Sequence, residues 1–181
     1  MPPAPDGFTV YTAAPDVWLQ RPKLASHIAT ISQIWALIEY DLALIFVVLS
    51  GSNLAMGAVF SGVVPIQTRL TMIQKLVAAF LQREDRVAWQ SLRSQIEKMA
   101  GQRNAIVHGS WSIREEEPDT IFRQERFPLT MASAKPVPYT HDTFIDIQNQ
   151  LNRLRSDVAK FSAHVDDLAR EQPFPRSFLL T

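Results

Sequence analysis

Four long stretches of the chain carry apolar residues at alternating spacings of three and four positions, the pattern of an amphipathic α-helix. They predict helices over residues 24–49, about 66–82, about 87–108 and about 141–171. The apolar seam of the first helix comprises Leu24, Ile28, Ile31, Trp35, Ile38, Leu42, Ile45 and Leu49. Four helices with matched seams predict an all-α fold, an antiparallel four-helix bundle.

Residues 109–140 interrupt the helical pattern between the third and fourth long helices. An acidic turn at residues 115–119 and several prolines divide this region into short segments. Three runs in it have the composition of strands: Trp111–Ile113, Thr120–Phe122 and Leu129–Met131. We therefore expect a small β excursion inserted into the bundle.

The stretch Leu42–Ile66 contains no charged residue and is long enough to raise the question of a membrane span. Its centre, Ser50–Asn53, is rich in turn-forming residues, and Gly57, Gly62 and Pro65 interrupt it again. We therefore expect the end of a buried helix, a turn and a short irregular segment, with no membrane involvement.

These patterns divide the chain into three parts. Residues 24–171 form a single helical domain, which follows an N-terminal arm (1–23) with five prolines and precedes a C-terminal tail (172–181). The 18 basic and 18 acidic residues balance, so the whole chain lacks the charge of a general nucleic-acid binder. The absence of cysteine excludes disulfides and thiolate catalysis, and it favours a cytoplasmic location.

One polar cluster stands out at the end of the third helix, in the sequence of residues 103–108. Arg103 occupies a position on the apolar stripe of the helix where an apolar side chain is expected. Asn104 and His108 lie four residues apart and therefore share a neighbouring face. Gly109 is expected to take a positive φ and end the helix. Residues 67–108 hold seven basic and three acidic side chains, which suits an anionic ligand.

An arginine, an asparagine, three mostly apolar residues and a histidine at the end of a bundle's third helix resemble the motif of the HEPN superfamily. The resemblance spans about residues 24–171 through helix order and matches residue by residue only at the motif. HEPN domains that keep the motif are commonly metal-independent endoribonucleases, which act as dimers with two motifs facing each other. The resemblance implies that Arg103 and His108 are the catalytic pair and Asn104 a supporting residue. It also implies RNA as substrate and allows an antitoxin or regulatory protein as partner, as in toxin–antitoxin or defence systems.

These residue types suit RNA cleavage without a metal, which needs a base, an acid and a cation on the phosphate. Imidazole fills either proton role near neutral pH, and guanidinium binds phosphate oxygens in pairs. One copy supplies a single histidine, and five helical residues turn His108 by about 140° from Arg103. A homodimer would supply two of each. The expected product carries a 2′,3′-cyclic phosphate.

Structural roles explain the same residues equally simply. Arg103 could pair with Glu39 or Asp41, which lie inside the apolar first helix and need a partner; either carboxylate could then support the site by orienting the arginine. His108 is favoured at a helix C-terminus when protonated, and Trp111 suits the core better than a base-stacking role. The alternative function is a non-catalytic helical module that binds a nucleotide or another protein.

Other candidate clusters are weaker. Arg21 and His27 also fit a loose arginine–histidine spacing, but Pro22 follows the arginine and the asparagine is missing, so we attribute this match to chance. An exposed polar face explains His164 and its acidic neighbours on the last helix better than a metal site does. The chain has no glycine loop for phosphates and no dinucleotide motif, so we expect neither cofactor nor metal.

Overall fold

The structure is a computed structural model of the 181-residue chain. It describes residues 17–114, 116–124, 136–171 and 174. This described part is mostly helical and holds six helices and one three-stranded antiparallel sheet. The helices are α1 (Val17–Gln20), α2 (Pro22–Ser50), α3 (Leu54–Val63), α4 (Ile66–Phe80), α5 (Arg83–Val107) and α6 (His141–Glu171). The strands are β1 (Ser110–Ile113), β2 (Thr120–Gln124) and β3 (Val137–Thr140).

The four long helices predicted from apolar spacing are present as α2, α4, α5 and α6. Helix α5 begins at Arg83 rather than near Val87, and its first turn contains Glu84 and Asp85. Acidic side chains there are stabilised by the positive end of the helix dipole. Asp85 also accepts a hydrogen bond from Nε2 of His164 at 2.9 Å. The predicted polar face of α6 is therefore partly used in packing onto α5.

The chain divides into two compact units. The sheet unit contains the described residues among 17–32 and 103–149, and the helical unit contains those among 33–102 and 150–174. Of the predicted N-terminal arm, residues 1–16 lie outside the described residues, whereas 17–20 form α1 with Val17 fully buried. Of the predicted tail, the structure describes Phe174, whose ring centroid lies 5.7 Å from that of Phe80.

We predicted an all-α bundle with a small β excursion, and this prediction needs correction. The three strands form a sheet that is part of a core. The strand order is β1-β2-β3, and both pairs are antiparallel. Trp111, Ile113, Ile121 and Phe122 are all buried. Burial of these four side chains stabilises the sheet, because each large apolar side chain contributes about 1.5–3 kcal/mol when buried. This stabilisation exceeds the unfavourable effect of the polar turn residues between the strands.

The third strand lies later in the chain than predicted. The expected strand at 129–131 falls outside the described residues, and β3 instead covers Val137–Thr140. Prolines at positions 136 and 138 are unfavourable in the interior of a sheet, because proline has no backbone N–H to donate. A proline is tolerated because β3 is an edge strand, which needs backbone donors on one side only.

Helix α6 follows β3 directly because its first turn is capped. The Thr143 backbone N–H donates to Oγ1 of Thr140, and the Thr140 backbone N–H donates to Oγ1 of Thr143, both at 3.3 Å. This reciprocal capping satisfies two donors that a helix start would leave without partners. It places His141 at the first position of α6.

The prediction of a short irregular segment after α2 is wrong, since residues 54–63 form helix α3. Asn53 caps this helix by accepting a hydrogen bond from the Met56 backbone N–H at 3.0 Å. A Cβ at Gly57 would lie 2.8 Å from Cγ2 of Val47, so glycine permits close approach to α2. Phe60 stacks on Phe46 with ring centroids 4.2 Å apart.

Helix α2 is long and apolar enough to cross a membrane by length and composition, and 39% of its most apolar window is buried. The core helix of a soluble protein and a signal sequence share these properties. Length and composition therefore do not assign α2 to a membrane.

Candidate functional site at the end of helix α5

The predicted motif lies at the C-terminal end of α5, within the sheet unit. The His108 backbone N–H donates to the carbonyl of Asn104 at 3.0 Å, so His108 completes the last helical hydrogen bond. Asn104 and His108 are exposed, whereas Arg103 is half-buried. The amide and the imidazole therefore occupy successive turns at a surface that solvent and ligands can reach.

Arg103 is held in place by the motif itself. Its Nη1 donates to Oδ1 of Asn104 at 3.1 Å. Its Nε is buried and has no hydrogen-bond partner among the described residues. Asn104 therefore contacts Arg103 directly.

The prediction that Gly109 ends the helix through a positive φ is wrong. Among the described glycines, Gly51 is the one with a positive φ. Glycine is instead required at position 109 by close contact, because a Cβ there would lie 2.5 Å from the Ala105 carbonyl oxygen. It would also lie 2.9 Å from Cγ of Arg123.

Arg123 is a site residue that the sequence analysis missed. It lies on β2 opposite Trp111 of β1, and its half-buried side chain passes beside Gly109. Its Nε is buried without a partner in the described part of the chain. No local spacing joins Arg123 to the motif, because only the register of β1 and β2 brings it there.

Trp111 belongs to the core, as the structural interpretation favoured. Its ring lies edge-on to Trp18 and Tyr139, with centroid distances of 5.5 and 5.1 Å. Its Nε1 donates to the Ile106 carbonyl at 3.2 Å. That carbonyl lies in the last turn of α5, where helical partners run out. The indole therefore fixes the end of α5 to β1.

The predicted supporting carboxylates belong to the helical unit and have neighbours there. Glu39 accepts a hydrogen bond from Nη2 of Arg69 at 2.7 Å, and the Arg69 side chain is only 7% exposed. Burial raises the pKa of Asp41, and the positive charge of Arg155 partly opposes that shift. Arg69, not considered from the sequence, is thus the ion-pair partner of Glu39.

The arrangement at the end of α5 has the chemistry of an anion site with a proton-transfer group. Arg103 and Arg123 are half-buried, and each has a buried Nε without a partner among the described residues, whereas the His108 imidazole is exposed. Guanidinium groups bind phosphate oxygens through paired hydrogen bonds. Comparison of the chain with family models, curated proteins and solved structures found no match.

Proposed function

We propose that this protein is a HEPN-like, metal-independent endoribonuclease whose active site forms across a homodimer. The observation that carries the proposal is the α5 terminus, where Arg103 donates a hydrogen bond to Asn104 and an exposed His108 lies one helical turn after Asn104. In this proposal α2, α4, α5 and α6 pack as the four-helix bundle of that superfamily, and the sheet is inserted between α5 and α6.

The reaction follows from the side chains. The 2′-oxygen of RNA attacks the adjacent phosphorus, and the bond from phosphorus to the 5′-oxygen breaks. His108 of one protomer takes the 2′-hydroxyl proton, and the second His108 gives a proton to the departing 5′-oxygen. The two Arg103 groups hold the phosphate as negative charge builds on its oxygens. The products carry a 2′,3′-cyclic phosphate and a 5′-hydroxyl, and no cofactor takes part.

The setting proposed for this reaction is the cytoplasm, where RNA is the partner and an antitoxin or regulatory protein controls access. Arg123 extends the cationic surface beside the motif and would bind a neighbouring phosphate of the strand. Its contribution is to RNA affinity rather than to proton transfer, because guanidinium stays protonated throughout the physiological range.

The test is cleavage of a defined RNA oligonucleotide in EDTA. Wild type should cleave it, and Arg103→Ala or His108→Ala should lower the rate at least ~100-fold, the size of a general acid–base contribution. Arg93→Ala and His164→Ala remove the same residue types elsewhere and should keep near-wild-type rates. Circular dichroism checks that every variant is folded. Cleavage that needs a divalent cation, or that survives both motif substitutions, would refute the proposal.

A non-catalytic helical module that binds a nucleotide or another protein is the second candidate. The observation that favours it is the Arg103–Asn104 hydrogen bond, which already uses part of the guanidinium for structure. Such a module would show no RNA cleavage in the same experiment, so Arg103→Ala and His108→Ala would have no activity to lose.

A further inference from the structure

A second polar cluster of the sheet unit lies at the start of α2 and α6. It surrounds a cavity of about 440 Å³ whose lining includes Arg21, Lys23, Asp119 and His141. The size falls within the range of about 300–1,000 Å³ that is common for small-molecule sites. Of the pair that the sequence analysis attributed to a chance match, Arg21 lines this cavity, and His27 is connected to it through a hydrogen bond with His141.

His141 is oriented by a chain of two hydrogen bonds that runs through His27 to Gln148. Nε2 of Gln148 lies 2.8 Å from Nδ1 of His27, and Nε2 of His27 lies 2.8 Å from Nδ1 of His141. An amide NH₂ group only donates, so Nδ1 of His27 accepts and its Nε2 carries the proton. His141 therefore accepts at Nδ1 and keeps its own proton on Nε2.

His27 is held in a fixed position by its packing. It is only 7% exposed, and its ring stacks on Phe144 with a centroid distance of 5.5 Å. His141 itself is exposed and lines the cavity. The buried His27 imidazole thus fixes the tautomer of the exposed His141. It keeps the Nε2–H of His141 oriented to donate to a ligand, in the way that second-shell partners orient metal-binding histidines.

The cationic residues of the cavity have unused hydrogen-bonding capacity. Neither Arg21 nor Lys23 forms an ion pair with a residue of the described ranges. Arg21 donates from Nη1 to the Gln20 carbonyl at 3.2 Å, while its Nε is buried and lacks a partner within the described part. Two cations and an imidazole N–H thus line one cavity, and neither cation forms an ion pair with a described residue.

We propose that this cavity binds a small phosphomonoester that also carries hydroxyl groups. Arg21 and Lys23 supply two positive charges for the phosphate, which carries about −1.5 to −2 at neutral pH. The Nε2–H of His141 donates a third hydrogen bond. Asp119 accepts from hydroxyl groups of the ligand, and its negative charge disfavours ligands with several phosphates. Sugar phosphates and nucleoside monophosphates share this chemistry.

Calorimetric titration of the full chain with ribose 5-phosphate, adenosine 5′-monophosphate and inorganic phosphate tests the assignment. Ribose and adenosine serve as ligands without the phosphate. We expect binding of the phosphorylated compounds and at least ~10-fold weaker binding by Arg21→Ala or Lys23→Ala, the loss of one charge-assisted hydrogen bond. Lys75→Ala, which removes an exposed lysine of the helical unit, should leave the dissociation constant unchanged.

Two further variants separate the roles of the other residues. His27→Phe keeps an aromatic ring over Phe144 but cannot orient His141, so it should weaken ribose 5-phosphate binding several-fold in a folded protein. Asp119→Asn should reduce the preference for ribose 5-phosphate over inorganic phosphate. Arg103→Ala should not change any of these affinities. The test of this cavity is therefore independent of the test of RNA cleavage. The proposal would be overturned if no phosphorylated compound bound, or if Arg21→Ala and Lys23→Ala both bound with wild-type affinity.

Discussion

His27 shows how burial and neighbours set the charge of a single side chain. Burial lowers the pKa of this imidazole, and the electrostatic effect of the neighbouring His141 lowers it further. The hydrogen bond from Gln148 acts in the opposite direction and only partly offsets these effects. His27 is therefore neutral in the folded protein at pH values where an unfolded chain would already hold a proton on it.

The stability of the protein should consequently fall on acidification below the usual histidine pKa of about 6.5. In that range the unfolded chain binds more protons than the folded chain, so protonation favours unfolding. Urea unfolding at pH 7.5 and pH 5.5 measures this difference. His27→Phe should lose less stability between the two pH values than wild type, and His108→Asn is measured beside it because it removes an exposed imidazole. An equal loss in wild type and His27→Phe would contradict the assignment.

The two glycines of the α5 region give opposite predictions for the same substitution. Gly109→Ala should destabilise the fold by about 1–3 kcal/mol, the usual cost of overpacking, because the new Cβ meets a backbone oxygen that cannot move aside. Gly101→Ala lies on an exposed helical turn with nothing within 4 Å of the new Cβ. It should stabilise the protein by about 0.5–1 kcal/mol. Thermal denaturation of both variants checks the contrast, and destabilisation by Gly101→Ala would count against it.

Helix α3 shows why an element can be missed when each residue is judged by its propensity. Gly57 and Gly62 weaken a helix on their own, and Pro65 ends one. The structure uses these residues differently, since Asn53 caps the helix and Gly57 allows close packing on α2. Tertiary contacts thus outweigh the low helix propensity of the glycines. The spacing of residues within a single segment carries no information about such contacts.

The stacked pair Phe46–Phe60 should dominate the stability of α3. Phe60 is 2% exposed, so Phe60→Ala leaves a cavity and should cost about 3–5 kcal/mol. The adjacent Val59 is 50% exposed, and Val59→Ala should change stability by less than about 1 kcal/mol. Chemical denaturation of the two variants measures the difference. Similar losses would mean that α3 does not pack through Phe60.

The long helices and the motif geometry were predictable because they depend on neighbours close in sequence. Arg103, Asn104 and His108 lie within six residues, so helical spacing alone places them at the end of one helix, with Asn104 and His108 on the same face. Arg123 depends on strand register, and the hydrogen bond between His27 and His141 joins positions 114 residues apart. Such pairings follow from the whole fold, and a single sequence gives no local signal for them.

At the scale of the whole molecule, the proposed chemistry requires more than one chain. Each protomer contributes one His108 and one Arg103, whereas strand scission needs both a base and an acid. If two motifs share one cleft, a dimer that contains a single defective protomer lacks one of the two imidazoles. The proposal therefore predicts that an inactive variant suppresses the activity of wild-type chains with which it assembles.

Subunit mixing tests this requirement directly. Wild type is held at constant concentration while His108→Ala is added, and RNA cleavage in EDTA is measured before and after the subunits exchange. Random pairing into symmetric dimers should lower wild-type activity to about one half at a 1:1 ratio and to about one quarter at 1:3. The mixture assayed before exchange should keep full activity, and co-purification of differently tagged chains verifies that exchange has occurred. Full activity after verified exchange would mean that each protomer cleaves alone, because a composite cleft cannot tolerate the loss of one imidazole without a loss of rate.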